Sequence, residues 1–392
     1  MQDTSSEPPK TDKPADDPTN LDISPDVSDT VTPVPLEQPQ PVVVKSRSHK
    51  VLWTIIIMLA LLLLGAIGYG VWHSRHHTKA QPIDSGIDPN QHYGSTVRLP
   101  EGLKLDVGKN YGNKYADGIL PVGDGKYVTD APKTGYVYTC SQYAHNLAND
   151  QGGADTRGPW FMNSNTQYDI NKKAHVAGNV TWTADFSNTV SGSTRTIVTN
   201  DLPSHPTGVF PIQTSDPAHA YDRNPNSIKG QTLTYALAAS PTYSETPNCM
   251  GGEVGVMLTG VALFNAFDAG GRDAGAWEVQ DGCSGHPQSA GEYHYHTLSS
   301  CINDVREDTI IGYALDGFPI TGPKVGTNAV NGYLTTADLD ECHGIVSTIK
   351  AGSETAIMYH YVMTQDFPYS VSCFRGTPIT PPGMQQQPAG HP

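Results

Sequence analysis

The sequence predicts a mainly β, disulfide-tied, β-sandwich-like domain with short helices, preceded by one transmembrane helix. Among its 392 residues are 39 Gly, 31 Pro and 19 Tyr, a composition that interrupts helices and favours short strands joined by turns. All six cysteines follow residue 139. A single long uncharged apolar run lies near the N-terminus, before all of the cysteines.

Residues 1–50 are predicted to be a disordered cytoplasmic tail. They contain nine prolines among scattered Asp and Ser, and they have too little apolar surface to offset the entropy lost on folding. Pro33-Val34-Pro35 and Pro39-Gln40-Pro41 favour extended polyproline geometry, so a partner-binding tail is an alternative interpretation.

Residues 51–72 are predicted to form a transmembrane helix, because this run is long enough at helical rise to cross about 30 Å of hydrocarbon. The alternatives are a cleaved signal peptide, which does not suit so long a preceding segment, and a buried core helix. Flanking positive charges only slightly favour a cytoplasmic N-terminus. The cysteines, all on the C-terminal side of the helix, place that side in an oxidising compartment outside the cell membrane.

The remaining chain is divided into a stalk at 73–114, a folded domain at 115–376 and a disordered tail at 377–392. The strand candidates, chosen for β-branched and aromatic content, are Thr181–Thr183, Thr196–Thr199, Val254–Leu258 and Tyr359–Met363. A short helix is expected over Thr335–Leu339.

The charge balance argues against a nucleic-acid partner. The formal net charge is -15, and residues 1–50 contribute only -4 of it through five basic and nine acidic groups. Since a domain this acidic repels polyanions, a small-molecule or surface ligand is easier to accommodate, and the sequence does not say which.

Tyr293-His294-Tyr295-His296 is the most informative segment for function. In an extended strand, successive side chains point to opposite faces, so His294 and His296 share one face. Two imidazoles on one face of a rigid strand form a plausible chelating pair for a divalent metal.

These residues and the motifs around them resemble the YHYH-domain family, whose members are extracytoplasmic. Asp281, Cys283, His286, Gly291 and Cys301 frame the tetrapeptide as in the family's central block, and Ile311–Ile320 is similar to its next block. The resemblance continues through Leu339–Cys342, Tyr359–Tyr361, Phe367–Tyr369 and Cys373–Gly376, with Asn224–Asn226 and Gly252–Phe264 upstream. It implies a secreted or surface-exposed domain with a histidine-rich block and no established reaction.

The predicted metal ligands are His286, His294, His296 and His360. Four further groups could complete the coordination or orient an imidazole: Glu278, Asp281, Asp316 and His343. Asp316, followed by Gly317, is favoured as a turn residue. Several imidazoles with a carboxylate suit zinc or copper better than calcium or magnesium. The alternative is that these histidines only satisfy buried hydroxyls in a tyrosine-rich core.

Tyr359-His360-Tyr361 partly repeats the tetrapeptide. If the repeat is genuine, two strands would contribute to one site; coincidence is the alternative.

Six cysteines permit 15 pairings, among which the sequence alone does not choose. We hypothesise local pairing of Cys283 with Cys301 and of Cys342 with Cys373, with Cys140 joined to Cys249. A Cys/His zinc site would need closely spaced cysteines such as C-x-x-C, which the chain lacks.

Together these features predict a single-pass membrane protein, with its N-terminus in the cytoplasm and a metal-binding domain outside the cell. Whether it is an enzyme is left open. The alternative is a non-catalytic binding or adhesion module in which the Tyr/His block is structural.

Overall fold

An eight-stranded mixed sheet forms the centre of the domain in the computed structural model, which describes residues 101–143, 156–326 and 332–382. These residues belong to one unit, Lys79–Pro392. The predicted tail 1–50, the predicted transmembrane helix 51–72 and residues 73–100 of the predicted stalk lie outside the described residues. Within the described ranges, no helix has both the length and the apolar character that a bilayer crossing requires.

The strands are short, as the Gly- and Pro-rich composition predicts. They are β1 Ile119–Pro121, β2 Tyr127–Val128, β3 Val137–Tyr138, β4 Phe161–Met162, β5 Gln167–Asp169, β6 Phe186–Ser191, β7 Thr194–Thr199, β8 Leu233–Ala238, β9 Glu253–Met257, β10 Ala262–Phe264, β11 Gly285–Pro287, β12 Tyr293–Tyr295, β13 Ile310–Ala314, β14 Pro319–Thr321, β15 Gly344–Ala351 and β16 Glu354–Val362. The helical segments are the α-helix α1 Ala274–Trp277 and the 3₁₀ turns Glu101–Leu103, Asn163–Asn165, Ile170–Lys172, Pro217–Ala220 and Thr336–Asp338. The mainly β prediction is confirmed.

The large sheet has two halves with the same internal order. Its strands run β11-β12-β10-β9-β13-β14-β16-β15, and the antiparallel pair of β9 and β13 joins the halves at the centre. In each half an antiparallel pair (β9/β10 or β13/β14) is followed by a hairpin (β11/β12 or β15/β16). The second strand of that hairpin lies parallel to β10 or β14. This correspondence indicates an internal duplication.

The duplication is also visible in the sequence, as a repeated spacing of two glycines and a leucine. Gly255-x-x-Leu258-x-Gly260 matches Gly312-x-x-Leu315-x-Gly317. Gly260 and Gly317 both have φ of 90°, a conformation that favours glycine in the turns after β9 and β13. The two halves therefore use the same turn geometry as well as the same strand order.

A second repeated feature is the loop that precedes each outer hairpin. Asp281-Gly-Cys283-Ser-Gly285 and Asp340-Glu-Cys342-His-Gly344 share the pattern D-x-C-x-G. In both loops the Asp Oδ1 accepts hydrogen bonds from the amides of the Cys and the Gly, at 2.9 and 3.3 Å in the first and 3.0 and 2.8 Å in the second. The Asp carboxylate thus closes the loop, as Asp does in Asx turns.

Three disulfides join Cys140 to Cys249, Cys283 to Cys301 and Cys342 to Cys373. The hypothesised pairing is confirmed. Each of the last two bonds spans the outer hairpin of one half, so both halves are fastened in the same way.

The small sheet β6-β7-β8 packs on the large one. Ile197, Leu233 and Tyr235 of the small sheet share a hydrophobic cluster with Val254 and Val256 of β9. The predicted two-sheet packing is present, but one sheet is much larger and contains parallel pairs. Of the strand candidates, Thr181–Thr183 lies just before β6 and is not a strand, whereas the other three fall in β7, β9 and β16.

The folded domain extends beyond the predicted range of 115–376 at both ends. Leu105, assigned to the stalk, is buried, and its amide donates to Val346 O at 2.8 Å. Ile379, assigned to the tail, donates its amide to Leu315 O at 3.0 Å.

Candidate metal centre

The hairpin of β11 and β12 brings two histidines face to face. His286 lies directly opposite His294 in the antiparallel register, so both side chains project from the same side of the sheet. His296 follows the last residue of β12, and the expected shared face is confirmed because its Nε2 lies 3.1 Å from Nε2 of His294. From β10, Phe264 stacks on the His294 ring with 4.1 Å between centroids.

Glu278 supplies a carboxylate to the same cluster. It terminates α1, where its amide donates to Ala274 O at 3.1 Å, and this turn directs the side chain toward the hairpin. Its Oε2 lies 3.3 Å from His296 Nε2 and 3.4 Å from His286 Nε2. One nitrogen of each of the three histidines lies within 4.8 Å of the others.

The cluster is buried, and Glu278 is its most exposed member. The exposed fraction of the side chain is 6% for His286, 3% for His296 and 19% for Glu278. Within the described part of the chain, His286 Nε2 and Glu278 Oε2 are buried and have no hydrogen-bond partner. Since burying a polar atom without a partner is costly, two such atoms beside each other are a feature that a ligand-binding site would explain.

Burial keeps the imidazoles neutral. It lowers the pKa of His296 to about 4 and lowers the pKa of His286 and His294 well below the usual range, with further lowering from the neighbouring imidazoles. Burial, reinforced by Asp268 and Asp222, raises the pKa of Glu278 well above its usual range. Neutral imidazoles can act as metal ligands, and a bound cation would favour the ionised carboxylate.

Asp281 and Asp316, predicted to support the metal site, accept hydrogen bonds from tyrosines and do not join the histidine cluster. Asp281 accepts a hydrogen bond from the Tyr293 hydroxyl at 3.0 Å, and Asp316 accepts one from the Tyr361 hydroxyl at 2.7 Å. Asp316 Oδ1 also accepts from the amide of Phe318, which places Asp316 in the turn that was favoured for it.

His343 and His360 do not join the cluster. The His343 Nε2 is 3.0 Å from Thr364 Oγ1, and both ring nitrogens of His360 bond hydroxyls, of Thr321 at 3.0 Å and Ser347 at 2.8 Å. His360 is the counterpart of His294 in the second half, and its strand lies five strand spacings away, about 24 Å along the sheet. The expectation of two strands at one site fails because the repeat places them in separate halves.

The second half lacks the other two histidines of the cluster. Ile345 lies opposite His360, where His286 lies opposite His294. Val362 stands two residues after His360, where His296 follows His294. The duplicated position therefore retains one histidine of three.

Sequence reasoning missed the groups that hold the rings. His296 Nδ1 contacts Asn265 O at 2.5 Å, His294 Nδ1 contacts Glu292 O at 3.3 Å, and His286 Nδ1 contacts Asn224 Nδ2 at 3.5 Å. Backbone carbonyls carry no sequence signal. The Asn-Pro-Asn segment at 224–226 resembles the family, but its pattern does not predict a contact with His286.

A second group of potential ligand atoms contains His205, Cys283 and Cys301. Cys283 and Cys301 are bonded to each other, so their sulfurs are not thiolate ligands. His205 instead bonds the Tyr295 hydroxyl.

Fold and cluster define a disulfide-linked β domain with a buried histidine centre. The family model described as YHYH protein matches residues 234–335, so this part of the chain is a YHYH domain. The match includes the whole cluster and ends before β15. No curated protein and no solved structure matches the chain.

Proposed function

We propose that the domain binds one transition metal ion, zinc or copper, at the cluster of His286, His294, His296 and Glu278. The observation that carries this proposal is the pair of buried, unpartnered atoms, His286 Nε2 and Glu278 Oε2, beside two further imidazole nitrogens. A cation bound by Glu278 within the cluster, together with an oxygen ligand of that cation facing His286, would provide partners for both atoms.

The spacing of the ligand atoms supports a tetrahedral ion. Bonds of about 2.0–2.1 Å in tetrahedral geometry separate neighbouring ligand atoms by about 3.3 Å. The separations of 3.1 Å between the Nε2 atoms of His294 and His296, and of 3.3 Å between His296 Nε2 and Glu278 Oε2, are close to that value. Imidazole donors favour zinc or copper over hard cations such as calcium.

The test is elemental analysis of the full-length chain, purified in detergent, before and after chelation. We expect about one equivalent of zinc or copper, and its loss in the His294→Ala/His296→Ala double variant. His360→Gln is the matched control, since it changes the corresponding buried histidine outside the cluster. Absence of bound metal from the wild-type chain after growth with zinc and copper, and after reconstitution, would refute the proposal.

We also propose that residues 51–72 anchor the chain in the cell membrane, with the domain on the outer side. Three disulfides in the domain support an oxidising compartment. Deleting 51–72 should move the protein from the membrane fraction to the soluble fraction. Alkylation of the six cysteines without prior reduction would contradict the outward topology.

The alternative function is a binding or adhesion module in which the Tyr/His block is structural. It is favoured by the burial of Tyr293, Tyr295, Tyr359 and Tyr361, all at most 1% exposed. Such a module would contain no stoichiometric metal, and chelators would leave its stability unchanged.

A further inference from the structure

The three histidines of the centre differ in what faces their second ring nitrogen. For His294 and His296, Nδ1 faces a backbone carbonyl, which can only accept a hydrogen bond. Nδ1 therefore carries the proton, and Nε2 presents its lone pair to the centre. This is the tautomer that binds a metal through Nε2.

His286 faces the opposite kind of partner. Its Nδ1 is 3.5 Å from Asn224 Nδ2, an amide nitrogen that can only donate. Two contacts set the orientation of this amide: Asn224 Oδ1 accepts from the Asn226 amide at 2.9 Å, and Asn224 Nδ2 donates to Pro287 O at 2.9 Å. If the amide were rotated by half a turn, Asn224 Oδ1 would face Pro287 O and Asn224 Nδ2 would face the Asn226 N–H. Neither hydrogen bond could then form.

Neutral His286 therefore keeps its proton on Nε2, the atom that points to Glu278 and the cluster. That N–H is buried, and within the described part of the chain no acceptor meets hydrogen-bond geometry with it, the nearby Glu278 Oε2 included. The 3.4 Å separation from Glu278 Oε2 fits His286 either as a metal ligand or as a hydrogen-bond donor beside the ligands. Because Nε2 carries the proton, the tautomer selects the donor role.

We infer, on the basis of the proposed metal site, that His294, His296 and Glu278 hold the ion, whereas His286 donates a hydrogen bond to an oxygen ligand at the fourth position. Three protein ligands leave one coordination position open, as in sites that bind water or substrate. The class of ligand is an anionic oxygen donor, hydroxide or a carboxylate, because only an acceptor satisfies the His286 N–H.

The test uses the full-length chain loaded with one equivalent of Co²⁺, whose visible absorption reports the coordinating groups, and titrated with acetate. His286→Leu should keep its cobalt and bind acetate at least about tenfold more weakly, the loss expected for a hydrogen bond to a charged group. His286→Gln, whose amide can donate, should recover part of that affinity. His294→Gln should lose cobalt.

Each outcome decides between roles. If His286→Leu and His286→Gln lose cobalt as His294→Gln does, His286 is a ligand and the inference is wrong. If both variants bind cobalt and acetate as the wild type does, His286 only fills space, and the inference is again wrong. A wild-type chain that binds no cobalt refutes the metal site itself, before acetate is added.

Asn224→Asp provides an independent check. A carboxylate at this position accepts the Nδ1 proton of His286 and converts the ring to the tautomer that ligates through Nε2. We expect a changed cobalt spectrum and weaker acetate binding, because His286 then competes for the open position. An unchanged spectrum and unchanged acetate affinity would contradict the assigned tautomer.

Discussion

His294 and His360 occupy equivalent positions in the two halves of one sheet, yet only His294 belongs to a cluster. His294 pairs across its hairpin with His286, whereas His360 pairs with Ile345. Both rings are buried. Differences between matched substitutions in the two halves therefore separate the requirements of the fold from those of the metal centre.

The tyrosines before these histidines make matched bonds that can be compared. Tyr293→Phe removes a hydrogen bond to Asp281, and Tyr359→Phe removes one to Asp340. The Asp340 carboxylate also lies 2.9 Å from the Arg375 guanidinium. It therefore keeps a charged partner when the tyrosine hydroxyl is removed. We expect Tyr293→Phe to lower the free energy of unfolding by about 2 kcal/mol and Tyr359→Phe by about 1 kcal/mol. Urea denaturation of both variants measures these losses. A larger loss for Tyr359→Phe than for Tyr293→Phe would contradict the prediction.

Gly285 and Gly344 each lie against the ring of the tyrosine across the hairpin, Tyr293 or Tyr359. A Cβ at either glycine would overlap that ring. Gly285→Ala and Gly344→Ala should each lower the free energy of unfolding by at least about 2 kcal/mol, through overpacking. Only Gly285→Ala should weaken zinc binding, because it displaces the strand that carries His286. Equal effects of both variants in calorimetric zinc titrations would argue against the location of the site.

The disulfides offer a similar contrast. Replacing Cys283 and Cys301 by Ser removes a disulfide between residues 18 apart in the sequence. Replacing Cys342 and Cys373 removes one between residues 31 apart. Each change should cost about 3 kcal/mol of unfolding free energy. The first should also reduce zinc affinity, since that bond fastens the loop before His286, whereas the second should not. Denaturant titration and calorimetry on both variants test this prediction.

Acid should destabilise the domain through histidines outside the cluster. Burial lowers the pKa of His343 to about 3 and that of His360 to about 4. Below an unfolded-state pKa of about 6.5 the unfolded chain binds protons that the folded chain does not, so stability falls as the pH drops from 6.5 toward these values.

His360→Gln removes one of these groups while its amide can still bond Ser347 and Thr321. Between pH 7 and pH 4 this variant should lose about 2 to 3 kcal/mol less stability than the wild type. Urea denaturation at several pH values measures the difference. Parallel curves for the two proteins would show that His360 does not contribute.

Local features of the chain were readable from its sequence. Strands at Thr196–Thr199, Val254–Leu258 and Tyr359–Met363 follow from β-branched and aromatic content, and the turn at Thr336–Asp338 from its Thr-Thr-Ala-Asp start. The cysteine pairing could be proposed because each bond joins two cysteines that are consecutive along the chain. The facing of His294 and His296 follows from the strand alternation alone.

Non-local relationships were not readable. The parallel pairing of β10 with β12 and of β14 with β16 places each outer hairpin, and no local pattern encodes it. The position of His360 in a separate half depends on that pairing. In the sequence the duplication is marked only by a few glycines and leucines within Gly255–Gly317 and by two D-x-C-x-G loops, and the similarity of Tyr359–Tyr361 to the tetrapeptide does not reveal it.

The duplicated sheet also gives the molecule an internal standard. His360 has the backbone setting of His294 with hydroxyl partners in place of imidazoles, so its ring resonances should report the integrity of the scaffold. A cation entering the centre should shift the His294 signals while those of His360 stay in place. One nuclear magnetic resonance spectrum of one sample would thus separate occupancy from unfolding.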